Sequence, residues 1–88
     1  MQSTSQHILY QYPSCPFCAR VRHFLDSTGI EVPMKDILQD QQAYRELVLG
    51  GGSQQVPCLR IESPGDPEPI VHWLYESADI IAYLQQQT

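Results

Sequence analysis

The chain has 88 residues, of which 42% are hydrophobic and 17% are charged, and its formal net charge is −5. A chain of this length and composition folds as one globular domain with a modest core, so we expect a single domain over residues 1–88. The negative net charge argues against nucleic acid or an anionic membrane as a partner, because both require clustered Lys and Arg.

The N-terminal segment, residues 1–12, contains neither a basic leader followed by an apolar run nor a small-residue cleavage site. No stretch of the chain approaches the ~18–20 apolar residues that span a bilayer. We therefore expect a cytoplasmic protein. Structural disulfides are rare in that compartment, and the three cysteines are an odd number, so a Cys-x-x-Cys pair favours redox catalysis or metal binding.

The first half of the chain is predicted to form a strand, a helix and a second strand. The stretch HILYQY (7–12) is rich in β-forming residues. Pro16 suits the first position of the helix and Gly29 its end. The inward face of this helix is expected to consist of Phe17, Val21, Phe24, Leu25 and Thr28. The alternating pattern of IEVPMKDI (30–37) predicts the second strand, which Pro33 restricts to a sheet edge because proline lacks a ladder donor.

The second half is predicted to form a helix, a hairpin and a last helix. Residues 40–52 predict a helix that ends in a glycine triplet, which we interpret as a helix stop because phosphate-binding glycines precede a helix. Its inward face is expected to consist of Ala43, Tyr44, Leu47 and Val48. VPCLRIE (56–62) and IVHW (70–73) predict two strands joined by the proline-rich turn 63–69. Ser77 predicts the N-cap of the last helix, whose inward residues are Ile80, Ile81 and Leu84. The predicted order is β-α-β-α-β-β-α.

Cys15 and Cys18 form a Cys-x-x-Cys pair between the first strand and the first helix. A closed zinc site requires four ligands, and Cys58 and the three histidines stand at no suitable spacing. We therefore expect no metal site within one chain. An iron–sulfur cluster bridged between two chains remains open, because each chain would supply only one thiolate.

The position of the pair at a helix start favours redox chemistry. The free N–H groups of the first turn and the positive end of the helix dipole favour the thiolate of Cys15, which is the attacking species. Cys18 lies one turn later at a separation that a disulfide can close. We expect Cys15, at the exposed end, to be the nucleophile and Cys18 to be the resolving cysteine. Arg20 and Arg22 either add positive charge nearby or are simply solvated.

The motifs CPFC (15–18), QVPCL (55–59) and YESADIIAYL (75–84) together resemble a dithiol glutaredoxin of the thioredoxin superfamily, over essentially the whole chain. The last motif is also similar to the N-terminal domain of glutathione transferases. The resemblance implies an α/β thioredoxin fold, in which three helices flank a four-stranded mixed sheet. It also implies glutathione-dependent thiol–disulfide oxidoreduction by a monomer, with glutathione as co-substrate and no permanently bound cofactor. Disulfide-bonded or glutathionylated proteins would be the substrates.

The same resemblance implies a set of glutathione-binding residues. Pro57 would be cis and face the cysteine pair, and the backbone of Val56 would pair with the cysteinyl part of glutathione. Glu76 and Ser77 would hold the γ-glutamyl end, cap the last helix, or do both. The binding residues are accordingly expected to be Phe17, Gln55, Val56, Pro57, Glu76 and Ser77.

The sequence departs from the family pattern at two places. Tyr12 stands where glutaredoxins usually have Lys, and Gln54 and Gln55 replace a basic residue often found before Val-Pro. Both departures remove partners for the glycyl carboxylate of glutathione, so we expect weaker binding. Cys58 is expected to be a buried core residue.

Two other functions remain open from the sequence. The chain could be a thioredoxin-like electron donor reduced by a thioredoxin reductase, or a glutathione or iron–sulfur binding module without turnover. A glutathione transferase would need an additional helical domain, which we do not expect in 88 residues.

Overall fold

The computed structural model describes residues 5–87, in which the predicted order of elements is confirmed. The elements are β1 (Gln6–Gln11), α1 (Pro16–Thr28), β2 (Met34–Asp36), α2 (Gln41–Glu46), a π-helical turn (Leu47–Gly51), β3 (Cys58–Ser63), β4 (Ile70–Tyr75) and α3 (Ser77–Gln85). Residues 1–4 lie outside the described part, and the expectation that no leader is present falls partly on them. None of the helices formed by residues 5–87 is long and apolar enough to cross a membrane.

The four strands form one mixed sheet in the order β2-β1-β3-β4. β1 pairs in parallel with β2 and antiparallel with β3, and β3 pairs antiparallel with β4. β2, which directly follows Pro33, is therefore an edge strand, as predicted. Tyr10 of β1 lies opposite Cys58 of β3, which lies opposite Tyr75 of β4. These three residues form a row across the sheet, at the end where β1 and β4 finish and β3 begins.

Each face of the sheet covers its own apolar cluster, because successive residues of a strand point to opposite faces. Leu9 and Leu59 point to the first cluster, and their neighbours Tyr10 and Cys58 point to the second. α1 and α3 cover the first cluster with Val21, Leu25, Ile80 and Leu84. The segment around α2 covers the second with Ile37, Ala43 and Leu47.

Helix α1 has the predicted bounds. It begins at Pro16 and ends before Gly29, whose φ of 76° is left-handed and whose N–H donates to the Leu25 carbonyl at 2.9 Å. The predicted inward face was partly wrong. The buried residues of α1 are Cys18, Val21 and Leu25, whereas Phe24 is half-buried and Phe17 and Thr28 are exposed. Cys18 takes the core position in the first turn, which leaves Phe17 at the surface.

Strand β2 is shorter than the predicted 30–37. Only Met34–Asp36 pair with β1. Ile30 and Val32 do pack against the first cluster, so their alternation reflects burial without ladder hydrogen bonds. Pro33 precedes the strand, and its carbonyl accepts the Leu9 N–H at 2.9 Å.

The predicted helix 40–52 divides into α2 and the π-helical turn. The Asp40 carboxylate caps α2 by accepting the N–H groups of Gln42 and Ala43. The prediction that Tyr44 faces inward was wrong. This residue is 40% exposed, and its hydroxyl donates to the Gln54 side chain at 3.0 Å.

The hairpin and the last helix also differ at their ends. Val56 and Pro57 lie outside β3, which begins at Cys58, and β4 continues to Tyr75. Ser77 is the first residue of α3 and not its N-cap. Glu76 occupies the cap position with a φ of 74° and makes no side-chain capping hydrogen bond.

The glycine triplet permits a close approach in addition to ending the helix. A Cβ atom on Gly50 would overlap the ring of Trp73, and one on Gly51 would overlap the hydroxyl of Tyr75. Gly50→Ala should therefore displace the indole and reduce the free energy of unfolding by about 1–3 kcal/mol. Urea titration would measure the loss, and the emission of Trp73, the chain's one tryptophan, would report the displaced ring.

Gln86→Ala, at an exposed position, is the control and should change stability by less than about 0.5 kcal/mol. Unchanged stability and unchanged emission in Gly50→Ala would contradict the packing of Trp73 on this turn.

Candidate active site

Cys15 is the N-cap of α1, and its sulfur accepts a hydrogen bond from the backbone N–H of Cys18 at 3.2 Å. The Cys15 N–H donates to the Tyr12 carbonyl at 3.2 Å, which closes the connection between β1 and α1. The Cys15 sulfur also lies 4.0 Å from the carbonyl oxygen of Val56. The two cysteines are therefore brought together, at the point where the loop before β3 approaches the helix.

The two thiols differ in their surroundings. Cys18 is fully buried and Cys15 is 4% exposed. Cys15 is therefore the more exposed of the two thiols, but it is also buried, so the prediction that it occupies an exposed end was wrong. Burial raises the pKa of Cys18 to about 12, and the hydrogen bond with Cys15 adds to this shift. The positive charge of Arg22 acts in the opposite direction but does not overcome burial. Cys18 is therefore a protonated thiol near neutral pH.

The two arginines of α1 have different environments. The guanidinium of Arg22 donates to the side chain of Gln11 at 2.6 Å and to the Pro13 carbonyl at 3.1 Å. These hydrogen bonds stabilise the loop before Cys15. Arg20 is exposed, and no ion pair joins it to another residue within 5–87. Arg22 is thus a structural residue of the loop, whereas Arg20 projects a free charge at the surface.

The loop before β3 is tied to the elements around it. The peptide bond between Val56 and Pro57 is cis, as the resemblance implies. The Tyr75 hydroxyl donates to the Ser53 carbonyl at 3.3 Å, and the Ser53 hydroxyl accepts the Gln55 N–H at 3.2 Å. These bonds hold the segment that approaches the Cys15 sulfur.

The start of α3 is joined to the same loop. The Gln55 side chain donates to the Glu76 carboxylate at 3.3 Å. Ser77 is 6% exposed, and the Glu76 carbonyl accepts the Ile80 N–H at 3.0 Å to start the helix. Because Tyr44 engages Gln54 away from this position, Gln55 alone of the two glutamines faces the start of α3.

A surface depression of about 210 Å³ brings the predicted binding residues together. Its lining residues are Phe17, Arg20, Gln55, Val56, Pro57, Glu76, Ser77 and Ala78. The six residues expected from the resemblance are all among them, although they come from three separate segments of the chain. Tyr12 is not, so the residue at the usual lysine position does not line this depression.

The sequence did not single out Arg20 as a lining residue. A usable signal existed, because residues three apart on a helix lie on the same side and Arg20 follows Phe17 by three.

Cys58 is fully buried in the second apolar cluster, as expected for a core residue. Burial raises its pKa to about 11. Within residues 5–87, no group of three or more His, Cys, Asp or Glu side chains is arranged to hold a metal ion.

The glutaredoxin family model matches residues 8–63, which include the Cys-x-x-Cys pair, the cis-proline loop and most of the sheet. The chain belongs to the glutaredoxin family. Membership assigns it a general role as a thiol–disulfide oxidoreductase, and the adjacent Cys15 and Cys18 fit that role. No curated protein matches the chain closely enough for comparison.

Solved structures establish the fold of this glutaredoxin. A glutaredoxin from Archaeoglobus fulgidus has 18% identity and a TM-score of 0.63, with 93% of this chain and 88% of that chain covered. One from Brucella melitensis has 22% identity and a TM-score of 0.55, covering 92% and 79%. A glutathione transferase Omega 2S from Trametes versicolor has 22% identity and a TM-score of 0.65, covering 94% of this chain and 36% of that one. The predicted thioredoxin fold is confirmed.

The environments of the three thiols predict an order of alkylation. At pH 8 the thiolate is a minor species for Cys18 and Cys58, whose pKa values burial raises to about 12 and about 11. Iodoacetamide should therefore label Cys15 first in the reduced, folded protein, as measured by peptide mass spectrometry over time. Cys58, which is fully buried, should remain unlabelled while the protein stays folded.

Labelling in concentrated urea is the control, because unfolding should make the three rates similar. Rapid labelling of Cys58 in the folded protein at pH 8 would place this thiol outside the core and contradict the assignment.

Proposed function

We propose that this glutaredoxin is a glutathione-dependent thiol–disulfide oxidoreductase in which Cys15 is the nucleophile. The observation that supports this most strongly is the convergence of three segments on one depression, which extends from Phe17 to Ser77. Val56 belongs to the depression, and its carbonyl lies 4.0 Å from the Cys15 sulfur. A tripeptide lying there would have its own sulfur next to the attacking sulfur.

The γ-glutamyl and cysteinyl parts of glutathione have chemically suitable counterparts in the depression. The exposed side chain of Glu76 suits the α-ammonium group of the γ-glutamyl end, and Ser77 at the start of α3 suits its carboxylate. The backbone of Val56 suits the cysteinyl part, which would add to the loop as an extended strand. Phe17 offers an apolar surface that is 56% exposed.

The proposed cycle begins with the thiolate of Cys15. The N–H of Cys18 and the start of α1 stabilise negative charge on this sulfur. The thiolate attacks the glutathione sulfur of a mixed disulfide, which forms a Cys15–glutathione disulfide and releases the protein thiolate for protonation. A second glutathione thiolate then attacks the glutathione sulfur, which regenerates the Cys15 thiolate and gives glutathione disulfide. One glutathione thiol is thereby oxidised, because its sulfur joins the glutathione sulfur that came from the substrate, and the protein thiol of the substrate is released in reduced form.

Cys18 serves the dithiol branch of the cycle. When Cys15 is joined to a protein substrate, the Cys18 thiol must lose its proton before it can attack the Cys15 sulfur. Its pKa of about 12 applies to the reduced pair, in which the Cys15 sulfur accepts the Cys18 N–H. Burial, the largest cause of that raised pKa, persists when Cys15 is in a mixed disulfide, so we expect the dithiol branch to go on accelerating above about pH 8.5, where a free thiol such as that of glutathione is already ionised.

Two departures from the family pattern bear on affinity. Tyr12 lies outside the depression and Gln55 is neutral, so the glycyl carboxylate meets no lysine at either position. A lost hydrogen bond between charged groups costs about 1.5–3 kcal/mol when buried and less when exposed. Because about 1.4 kcal/mol corresponds to a tenfold change in affinity, glutathione should bind about one order of magnitude less tightly than it would with a basic residue at both positions.

The two cysteines should differ when replaced. Cys15→Ser should abolish all turnover, because no other thiol occupies the helix start. Cys18→Ser should retain the deglutathionylation of a small mixed disulfide, which requires one cysteine, and lose dithiol reduction of a protein disulfide. Both activities are measured by coupling to glutathione reductase, with unfolding curves as controls for folding. An equal loss in the two variants would contradict the assigned roles.

The charge of Glu76 should affect substrate affinity. Glu76→Gln removes the charge and retains the side-chain shape, so the KM for a glutathionylated substrate should rise by about 3- to 10-fold with little change in kcat. Asp79→Asn is a matched control, because it removes the same charge from the first turn of α3 but lies outside the depression.

The wild-type protein should also be assayed with two reducing systems, glutathione with glutathione reductase and thioredoxin reductase with NADPH. Efficient turnover with thioredoxin reductase alone would overturn the dependence on glutathione and favour a thioredoxin-like donor.

A further inference from the structure

We propose that Arg20 binds the α-carboxylate of the γ-glutamyl end of glutathione, and this rests on the proposed function. Arg20 is exposed on the second turn of α1 and lines the depression together with Glu76 and Ser77. It is the only positively charged residue of that lining. Its guanidinium is not neutralised by an ion pair within residues 5–87.

The other positive charges of the chain are engaged or lie elsewhere. Lys35 pairs with Glu46 at 2.9 Å, and Arg60 pairs with Glu62 at 2.9 Å. Arg22 donates to the Gln11 side chain at 2.6 Å. Arg45 lies on α2, outside the depression. In a protein with a net charge of −5, an anionic tripeptide meets few attractive groups. Arg20 is therefore the cation that the depression offers to such a ligand.

The charges of the depression complement one particular end of glutathione. Glu76 supplies a carboxylate and Arg20 a guanidinium, within a volume of about 210 Å³. An α-amino-acid group carries an ammonium and a carboxylate on the same carbon, so it can engage both residues at once. The γ-glutamyl end of glutathione has such a group, whereas the glycyl end has a carboxylate alone. The glycyl carboxylate would approach Glu76 without a compensating ammonium, which is unfavourable.

The chemistry of arginine suits this position. A guanidinium can donate two parallel hydrogen bonds to a carboxylate, which fixes the orientation of the ligand as well as attracting it. Ser77 and the N–H groups at the start of α3 can bind the same carboxylate from another part of the lining, which a different element supplies. Because Arg20 is exposed, its contribution should be modest and should decrease as salt screens the charges.

The test compares three mixed disulfides of one small thiol, formed with glutathione, with γ-glutamylcysteine and with cysteinylglycine. The second retains the γ-glutamyl end and lacks glycine, and the third lacks the γ-glutamyl end. Arg20→Ala should raise the KM for the first two by about 3- to 10-fold and leave the third unchanged. Arg20→Lys should recover part of the loss, and the difference from wild type should shrink at high salt.

Arg45→Ala is the matched control, because it removes the same charge from an exposed position on α2 outside the depression. It should leave all three KM values unchanged. Urea titration of each variant would establish that the protein remains folded.

Several results would overturn the role of Arg20. A loss confined to the two substrates that contain glycine would assign Arg20 to the glycyl carboxylate, and an equal fall in kcat for all three would assign it to the chemistry of Cys15. No effect on any substrate would leave it without a binding role. A separate result bears on the proposed function itself: if the wild-type protein does not prefer glutathione over cysteinylglycine, glutathione recognition fails whatever Arg20 does.

Discussion

The pairing register of three adjacent strands is the constraint on which the candidate site depends. Tyr10, Cys58 and Tyr75 lie side by side across β1, β3 and β4. Because both pairings are antiparallel, β1 and β4 end and β3 begins near this row. Three segments that are distant in sequence therefore meet at the same end of these strands. They are the cysteine pair, the loop at 56–57 and the helix start at 76–77. A one-residue slip would move Cys58 to the opposite face and displace the loop before it.

The start of α1 makes two similar thiols chemically different. An N-cap side chain accepts the N–H of the third helical residue, and that residue is Cys18 when the cap is Cys15. The spacing of two residues between the cysteines therefore satisfies helix capping as well as disulfide closure. The same geometry directs the Cys18 side chain into the core, where burial raises its pKa to about 12. One local arrangement thus gives one sulfur a hydrogen-bond donor and keeps the other protonated.

Local signals predicted the parts of the fold that local physics determines. Pro16 and Gly29 set the ends of α1 because proline and glycine act on the backbone directly. Val32 was wrongly assigned to a strand because alternating apolar residues indicate burial, and a residue can be buried without pairing to a neighbouring strand. The proposed binding residues were named from the family resemblance, but their convergence on one depression depends on the sheet register. The φ of Glu76 does not follow from local sequence.

Glu76 is the one residue other than glycine with a positive φ among residues 5–87. Such a conformation costs about 1–3 kcal/mol, and glycine would adopt it without this strain. The carboxylate of Glu76 makes one exposed hydrogen bond, to the Gln55 side chain at 3.3 Å, and a bond of that kind contributes only about 0.5–1.5 kcal/mol. Stability of the fold therefore does not account for a glutamate here. The glutathione binding proposed above accounts for it, since the turn that strains Glu76 also directs its side chain towards Gln55 and places Ser77 at the start of α3.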